Sequence, residues 1–314
     1  PWSRWRAAPS RDRKPGRRAA IAFQPSGGSA RRGRNRLNLL LFSLENMIDL
    51  HCHLLPGIDD GAPNLATSLA MARIAAGDGI TVTACTPHIY PGMYDNNGPA
   101  IRKAVAELQT RLDEAGLPLR LTLGADTHIA PDLVEGLRAG RVPTLHDSRY
   151  FLLEPPHHVA PPRLAETVFD LLAAGYVPVI THPERLSWIE DRYETFVDLA
   201  RQGAWMQVTA GSLTGRFGSA AQYWGERLLD EGWVHILATD SHGVDRRPPL
   251  LAEGQRAAER WVGGEEAYHL VQTRPQGILD NLEPERLPAA LALSANTRSS
   301  HSRGSWLRRL FGRG

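Results

Sequence analysis

The feature that most constrains this 314-residue chain is a repeated alternation of apolar strand-like runs with amphipathic helix-like segments. Alternation of this kind predicts a parallel sheet with helices packed on its faces. Seven runs in succession favour closure into a barrel over an open sheet. The predicted strands cover residues 47–53, 80–88, 119–126, 150–154, 177–182, 205–210 and 234–242.

Predicted helices fill the intervals between these runs, and most of them end at a glycine, as C-capped helices commonly do. The helical stretches cover residues 64–78, 99–115, 130–139, 163–174, 190–202, 219–231 and 248–261. The glycines that would close a helix before a strand are Gly77, Gly79, Gly116, Gly140, Gly175, Gly203 and Gly232.

Side chains that bind metals stand at the carboxyl ends of six of the seven runs. His51 and His53 are two residues apart on a strand, so both point to the same face. In a parallel barrel the carboxyl ends of the strands meet at one rim, where active sites are built. The residues predicted to meet there are His51, His53, Asp60, His88, Asp126, Glu154, His182, Asp240 and His242.

This set of ligands exceeds the three protein ligands of a single catalytic zinc and predicts a cluster of two or three metals. Its mixture of imidazoles and carboxylates suits manganese, iron or zinc. Taken singly, each part has another explanation. Glu154 is also consistent with a hydrogen-bonded buried carboxylate and Asp240 with a helix cap. Those explanations do not account for the shared position at the strand ends.

Arginines follow two of these ends, and their planar guanidinium groups suit bidentate binding of phosphate. Arg185 lies three residues after His182, and Arg246 and Arg247 follow His242. Metals beside arginines indicate phosphoester hydrolysis, in which hydroxide generated by the metals attacks phosphorus. Surface salt bridges are the alternative role for the arginines.

Missing motifs narrow the chemistry further. A thiol-based phosphatase is excluded because neither Cys52 nor Cys85 has an arginine six residues later. The sequence has no P-loop, no nucleophile elbow and no H-E-x-x-H motif. An amidohydrolase barrel would add a lysine on a middle strand, yet the two lysines, Lys14 and Lys103, lie in the N-terminal segment and in a predicted helix.

Charge is unevenly distributed along the chain. Residues 1–46 contain 11 Lys and Arg against 2 Asp and Glu, and residues 288–314 contain 5 Arg and no acid. Residues 47–287 therefore hold 20 bases against 32 acids, a net charge of −12, which disfavours binding of nucleic acid. We expect a barrel domain over residues 47–287 between two flexible basic tails.

The N-terminal tail, residues 1–46, is predicted to be a disordered Arg-rich segment, with Met47 as an alternative start. In the C-terminal tail, an apolar face beside two arginines predicts weak contact with a membrane surface; its residues are Trp306, Leu307, Leu310 and Phe311. Two cysteines fit a reducing compartment, so we expect a cytoplasmic protein that acts near the inner face of the membrane. The oligomeric state is left open.

Five segments resemble the PHP (polymerase and histidinol phosphatase) superfamily, and within it the bacterial CpsB/CapC-type metal-dependent protein-tyrosine phosphatases of capsule and exopolysaccharide biosynthesis. They are MIDLHCHLLPGIDDG (47–61), CTPHIYPGMYDN (85–96), VPTLHDSRYFLLEPP (142–156), VPVITHPERL (177–186) and VHILATDSHGVDRRPP (234–249). The resemblance implies a distorted (β/α)7 TIM-like barrel with three divalent ions, usually manganese. It also implies a substrate: phosphotyrosine on the tail of a polysaccharide-export tyrosine kinase.

The resemblance also implies how the ligands are divided among the ions. His51, His53 and Asp240 would hold the first ion, and Asp126 would bridge to the second, which Glu154 and His182 complete. The third ion would be held by Asp60, His88 and His242. Arg185 and Arg247 would contact the phosphate of the substrate.

One position departs from the family pattern: Asp126 stands where the family commonly has Glu, so the bridge is either retained with altered spacing or weakened. His128 is a candidate to compensate, although its place before a predicted helix favours a structural role. Two other functions stay open. One is a small-molecule phosphatase of the histidinol-phosphatase type, and the other is a metal-holding regulatory module without activity.

Overall fold

A computed structural model describes residues 46–294 of the chain. Apart from Asn46, the predicted N-terminal tail lies outside the described residues, and so does the predicted C-terminal tail beyond Ser294. The predictions of disorder, of an alternative start and of membrane contact fall on those parts of the chain. Among the described helices, none combines the length and apolarity needed to cross a bilayer.

Nine parallel strands occupy the seven predicted positions. Each of the second and third runs is broken in two, at Thr86–Pro87 and at Gly124–Ala125, because proline lacks the N–H that a strand ladder needs and glycine permits a bend. The strands are β1 (Met47–Cys52), β2 (Ile80–Cys85), β3 (His88–Ile89), β4 (Arg120–Leu123), β5 (Asp126–His128), β6 (Tyr150–Glu154), β7 (Val177–Thr181), β8 (Trp205–Thr209) and β9 (Ile236–Ala238).

The strands form a closed ring, as the sequence predicted. One sheet has the order β1-β2-β4 and the other the order β3-β5-β6-β7-β8-β9. Hydrogen bonds continue across the breaks, from Gly124 N to the carbonyl of Cys85 (3.1 Å) and from Asp126 N to that of Pro87 (3.1 Å). The segment after β9 closes the ring on β1, where His53 N donates to the carbonyl of Ser241 (2.9 Å).

Helices follow the strands and cover the barrel. They are α1 (Leu65–Asp78), α2 (Gly98–Glu114), α3 (Leu133–Arg138), α4 (Leu164–Ala173), α5 (Ile189–Gln202), α6 (Ala210–Leu213), α7 (Gly218–Asp230), α8 (Ala252–Tyr268) and α9 (Arg274–Leu279). The helix predicted over residues 248–261 begins later and runs further, as α8. Gly77 lies inside α1, and the helix is capped by Gly79, whose φ of 96° is left-handed. The prediction that Gly77 closes a helix was therefore wrong.

Apolar side chains fill both the barrel interior and the layer between strands and helices. Leu50, Leu152 and Val179 are fully buried inside the ring. Residues 288–294, which the sequence analysis assigned to the flexible tail, also pack on the barrel, because the buried Arg274 takes the carbonyls of Pro288 (2.7 Å) and Ala289 (2.9 Å) as acceptors.

Candidate metal centre

The two histidines at the end of β1 are held by hydrogen bonds on their far side. His51 Nδ1 donates to Gln207 Oε1 at 2.9 Å, and His53 Nδ1 donates to Asp59 Oδ2 at 2.7 Å. Each bond fixes the tautomer and leaves Nε2 unprotonated toward the centre of the rim, as in metal-binding histidines. The two Nε2 atoms lie 3.3 Å apart.

Two carboxylates complete this first cluster. Asp126 Oδ2 lies 3.4 Å from His51 Nε2, and Asp240 Oδ1 lies 3.3 Å from the same nitrogen and 3.4 Å from His53 Nε2. All four side chains are buried. The structure therefore brings together four residues that the sequence placed on three separate strands.

A second cluster lies on the solvent side of His53 and contains Asp60, His88 and His242. Asp60 Oδ1 is 3.4 Å from His88 Nε2 and 3.3 Å from His242 Nε2. His53 lies close enough to share this cluster. The loop that carries Asp60 is positioned by Gly61, where a Cβ atom would lie 2.3 Å from the carbonyl oxygen of His53.

The third cluster is centred on Glu154, at the end of β6. Its Oε1 atom lies 3.6 Å from His182 Nε2, the predicted partner, and 3.3 Å from His157 Nε2. Its Oε2 atom faces His88 Nδ1 (3.3 Å) and His128 Nε2 (2.5 Å). Sequence reasoning assigned neither His128 nor His157 to this cluster.

A signal for His128 was present, since it follows Asp126 by two residues, the spacing that places His51 and His53 on one face of β1. Both residues belong to β5, whereas the sequence analysis placed His128 before a helix. His157 lies outside any strand, in the loop after β6, so no periodicity marked it.

Asp126 joins the first cluster rather than the group around Glu154. Its carboxylate shares ligand-forming distances with His51 and His53, and its closest approach toward Glu154 is to His88 Nδ1, at 3.5 Å. The predicted role of Asp126 as a bridge to a second ion therefore stays a prediction.

The buried charges of these clusters shift the pKa values of the histidines in opposite directions. Burial lowers the pKa of His51, but the charges of Asp126 and Asp240 outweigh it and raise that pKa to about 9. In the same way Asp60 and Glu154 raise the pKa of His88 to about 11.

Two other histidines are held neutral. Burial and the neighbouring charge of Arg185 lower the pKa of His182, and burial with the charge of His53 lowers that of His242 to about 4. Neutral imidazole is the form that binds a metal. These two side chains are therefore ready to act as ligands near pH 7.

Several polar atoms at the centre are buried without a hydrogen-bond partner among the described residues. Because buried polar atoms are nearly always paired, such a group needs an explanation, and an ion shared by them supplies one. The donor set, imidazole nitrogens and carboxylate oxygens, fits first-row divalent metals. The unpaired atoms are both oxygens of Asp126, Oε2 of Glu154, Nδ1 of His88 and Nδ1 of His182.

Strained backbone accompanies these ligands. His182 has a φ of 35° and Asp240 a φ of 48°, both in the left-handed region that non-glycine residues avoid. Strain of this kind persists at functional sites, where the surrounding structure enforces it. It turns both side chains toward the rim.

The two predicted phosphate-binding arginines lie beside the first cluster. Arg185 Nη1 and Arg247 Nη2 both bind Asp240 Oδ2, and both guanidinium groups lie over the ring of Phe217, 4.3 Å and 5.5 Å from its centroid. Arg246, by contrast, is exposed. The arginines and the metal ligands therefore form one connected site.

Comparison with known proteins identifies the family of this site. Residues 47–280 match the family described as "Capsular polysaccharide synthesis, CpsB/CapC". The chain belongs to the CpsB/CapC family.

Named relatives agree with this assignment. The chain is 38% identical over 228 residues to the tyrosine-protein phosphatase YwqE of Bacillus subtilis, which covers 72% of this chain and 89% of YwqE. It is 27% identical over 244 residues to the tyrosine-protein phosphatase CpsB of Streptococcus agalactiae serotype V, which covers 75% of this chain and 99% of CpsB.

A solved structure confirms the fold predicted for the CpsB/CapC chain. It belongs to work on YwqE from Bacillus subtilis and CpsB from Streptococcus pneumoniae, described as metal-dependent tyrosine phosphatases. It superposes with a TM-score of 0.73 at 35% identity, over 76% of this chain and 96% of that chain. The resemblance seen in the sequence motifs is thereby confirmed.

Proposed function

We propose that this protein is a metal-dependent phosphatase that hydrolyses phosphotyrosine in proteins and so regulates capsule or exopolysaccharide biosynthesis. The observation that carries the proposal is the meeting of three ligand clusters with Arg185 and Arg247 at one rim of the barrel. The names of the relatives, all tyrosine-protein phosphatases, support the choice of substrate.

Three divalent ions fit the three clusters, and Mn²⁺ is the proposed metal, with iron or zinc as alternatives. His51, His53, Asp126 and Asp240 would hold one ion, Asp60, His88 and His242 another, and Glu154 with His182 a third. Bound divalent ions supply Lewis acidity toward phosphoryl oxygens and lower the pKa of water at neutral pH.

The protein's own contribution is to position and neutralise the phosphate. Arg185 and Arg247 would face the non-bridging phosphoryl oxygens with planar, permanently charged donors. Both are held by Asp240, a buried carboxylate whose pKa is lowered by Arg247, His51 and Arg185 against the effect of burial. The carboxylate therefore stays ionised and keeps the guanidinium groups next to the metal ligands.

The rim is bordered by residues 89–98, which separate β3 from α2. Tyr90 is 39% and Met93 64% exposed there, so large apolar side chains face the solvent beside the centre. Apolar surface of this kind suits a peptide that carries the phosphotyrosine. The proposed partner is the phosphorylated tail of a polysaccharide-biosynthesis tyrosine kinase at the cytoplasmic face of the membrane.

The test compares turnover of a phosphotyrosine peptide with turnover of histidinol phosphate by the manganese-loaded protein. We expect the peptide to be strongly preferred, and His51→Ala or chelation to abolish its hydrolysis. Preference for histidinol phosphate would support a small-molecule phosphatase instead. Absence of hydrolysis with any divalent metal would support a regulatory module.

A further inference from the structure

Glu154 is surrounded by four imidazole rings, two more than a site of Glu154 with His88 and His182 requires. Its Oε2 atom lies 2.5 Å from His128 Nε2, and its Oε1 atom lies 3.3 Å from His157 Nε2. Glu154 is 3% exposed, and Oε2 has no hydrogen-bond partner in the described part of the chain. A buried carboxylate without such a partner requires a cation.

Protonated imidazoles alone do not supply that cation. The centroids of His157 and His182 are 5.0 Å apart, and those of His88 and His128 are 5.7 Å apart. Like charges at these distances disfavour one another, and a single carboxylate carries one negative charge. Most of the four rings must therefore be neutral, with lone pairs directed toward the carboxylate. A divalent ion next to each carboxylate oxygen relieves this repulsion between lone pairs.

Both additional histidines are held in place by their surroundings. The ring of His128 stacks on Tyr90, with centroids 3.9 Å apart and planes at 18°. The backbone carbonyl of His157 accepts hydrogen bonds from Ser187 N and Ser187 Oγ, both at 3.0 Å. Side chains fixed in this way lose little entropy when they bind a ligand.

We propose that His128 and His157 are metal ligands, each sharing a divalent ion with Glu154 through its Nε2 atom. The inference deepens the proposed function and rests on it for the presence of metals at this rim. His128 completes a set with His88 and Glu154, and His157 completes one with His182 and Glu154. Two imidazoles and one carboxylate favour zinc or iron more than an oxygen-rich site does.

The experiment uses the full chain and its variants His128→Gln and His157→Gln, which keep side-chain polarity and approximate volume. His158→Gln is the matched control, because His158 is adjacent to His157 and exposed. Metal content is measured by mass spectrometry, and dissociation constants for Zn²⁺ and Mn²⁺ by competition with a chelator. The visible spectrum of the cobalt-loaded protein reports the ligand set without reference to activity.

We expect each variant to weaken the binding of one ion by about 10–100-fold and to change the cobalt spectrum, while the control matches the unaltered protein. Unchanged affinity, stoichiometry and cobalt spectrum in both variants would overturn the proposal. Circular dichroism of each metal-free variant establishes that it is folded.

A measurement on the unaltered protein does not depend on the folding of any variant. Long-range ¹H–¹⁵N spectra of the zinc-loaded chain count the imidazoles whose nitrogens shift on binding. Seven shifted imidazoles are expected, the five predicted histidine ligands together with His128 and His157, whereas five would contradict the proposal. Failure of the proposed function is seen separately, as a metal-loaded protein that does not hydrolyse phosphotyrosine.

Discussion

The carboxylate of Asp240 is shared between Arg247, which binds its Oδ2 atom, and His51, whose Nε2 atom lies 3.3 Å from its Oδ1 atom. One buried side chain thus connects the proposed phosphate-binding group to the proposed metal ligands. This connection makes the orientation of the guanidinium dependent on the same residue that would hold an ion.

Replacing Arg247 should separate charge from geometry. We expect Arg247→Met to lower kcat/KM for a phosphotyrosine peptide by about 10²–10³, the usual effect of losing one group that stabilises the transition state. Arg247→Lys should recover only part of this loss, because an ammonium group cannot bind phosphate in the bidentate way. The exposed neighbour provides the control, and Arg246→Met should stay within twofold of the unaltered protein. Equal losses at both positions would contradict a specific role.

Gln207 should affect metal binding without touching the metal. Its Oε1 atom accepts the proton of His51 Nδ1, so Gln207→Leu should release the ring and its tautomer. The expected result is a rise of about 10–100-fold in the dissociation constant of the tightest Mn²⁺ site, measured by isothermal titration calorimetry. Gln222→Leu, on α7 and away from the rim, should leave that constant unchanged. Unaltered metal affinity in Gln207→Leu would show that the hydrogen bond does not orient His51.

Gly61 should be intolerant of a side chain. A Cβ atom there would lie 2.3 Å from His53 O and 2.4 Å from His53 Cβ, so the loop carrying Asp60 must move in Gly61→Ala. We expect a loss of about 1–3 kcal/mol in the free energy of unfolding, together with weaker metal binding. Gly77→Ala is the control, because a Cβ in that helix meets nothing within 4 Å and should stabilise the protein slightly. Equal effects of the two substitutions would contradict this account.

The metal-free protein should lose stability as the pH rises. The pKa of His51 is raised to about 9 and that of His88 to about 11 by neighbouring carboxylates that outweigh burial. A histidine whose pKa is higher in the folded state than its ordinary value near 6.5 contributes stability that is fully present below about pH 6.5. That contribution is lost as the pH rises through the folded pKa.

Urea unfolding of the chelated protein from pH 6.5 to 10 measures this loss. We expect the free energy of unfolding to fall steadily over that range, and His51→Gln to make the slope shallower. Saturating metal should reverse the trend, because ligands must lose their protons to bind and metal affinity therefore rises with pH. A flat profile in the chelated protein would show that neither histidine is charged in the folded state.

The sequence by itself determined the order of strands and helices and which face of the barrel carries the chemistry. Apolar runs with a period of two specify strands, and the C-terminal position of His51, Glu154 and Asp240 in their runs specifies a common rim. These properties are local to each segment, so they can be read before the chain is folded. The family motifs added the expected division of ligands among ions.

Only the tertiary structure decided which side chains share a cluster. The distance between His157 and Glu154 depends on the path of a loop after β6, and the position of His128 depends on the break that turns residues 126–128 into a separate strand. The pairing of Arg185 and Arg247 with one oxygen of Asp240 likewise depends on backbone strain at strand ends far apart in sequence. Distances of this kind arise from the packing of the whole barrel, which no local pattern encodes.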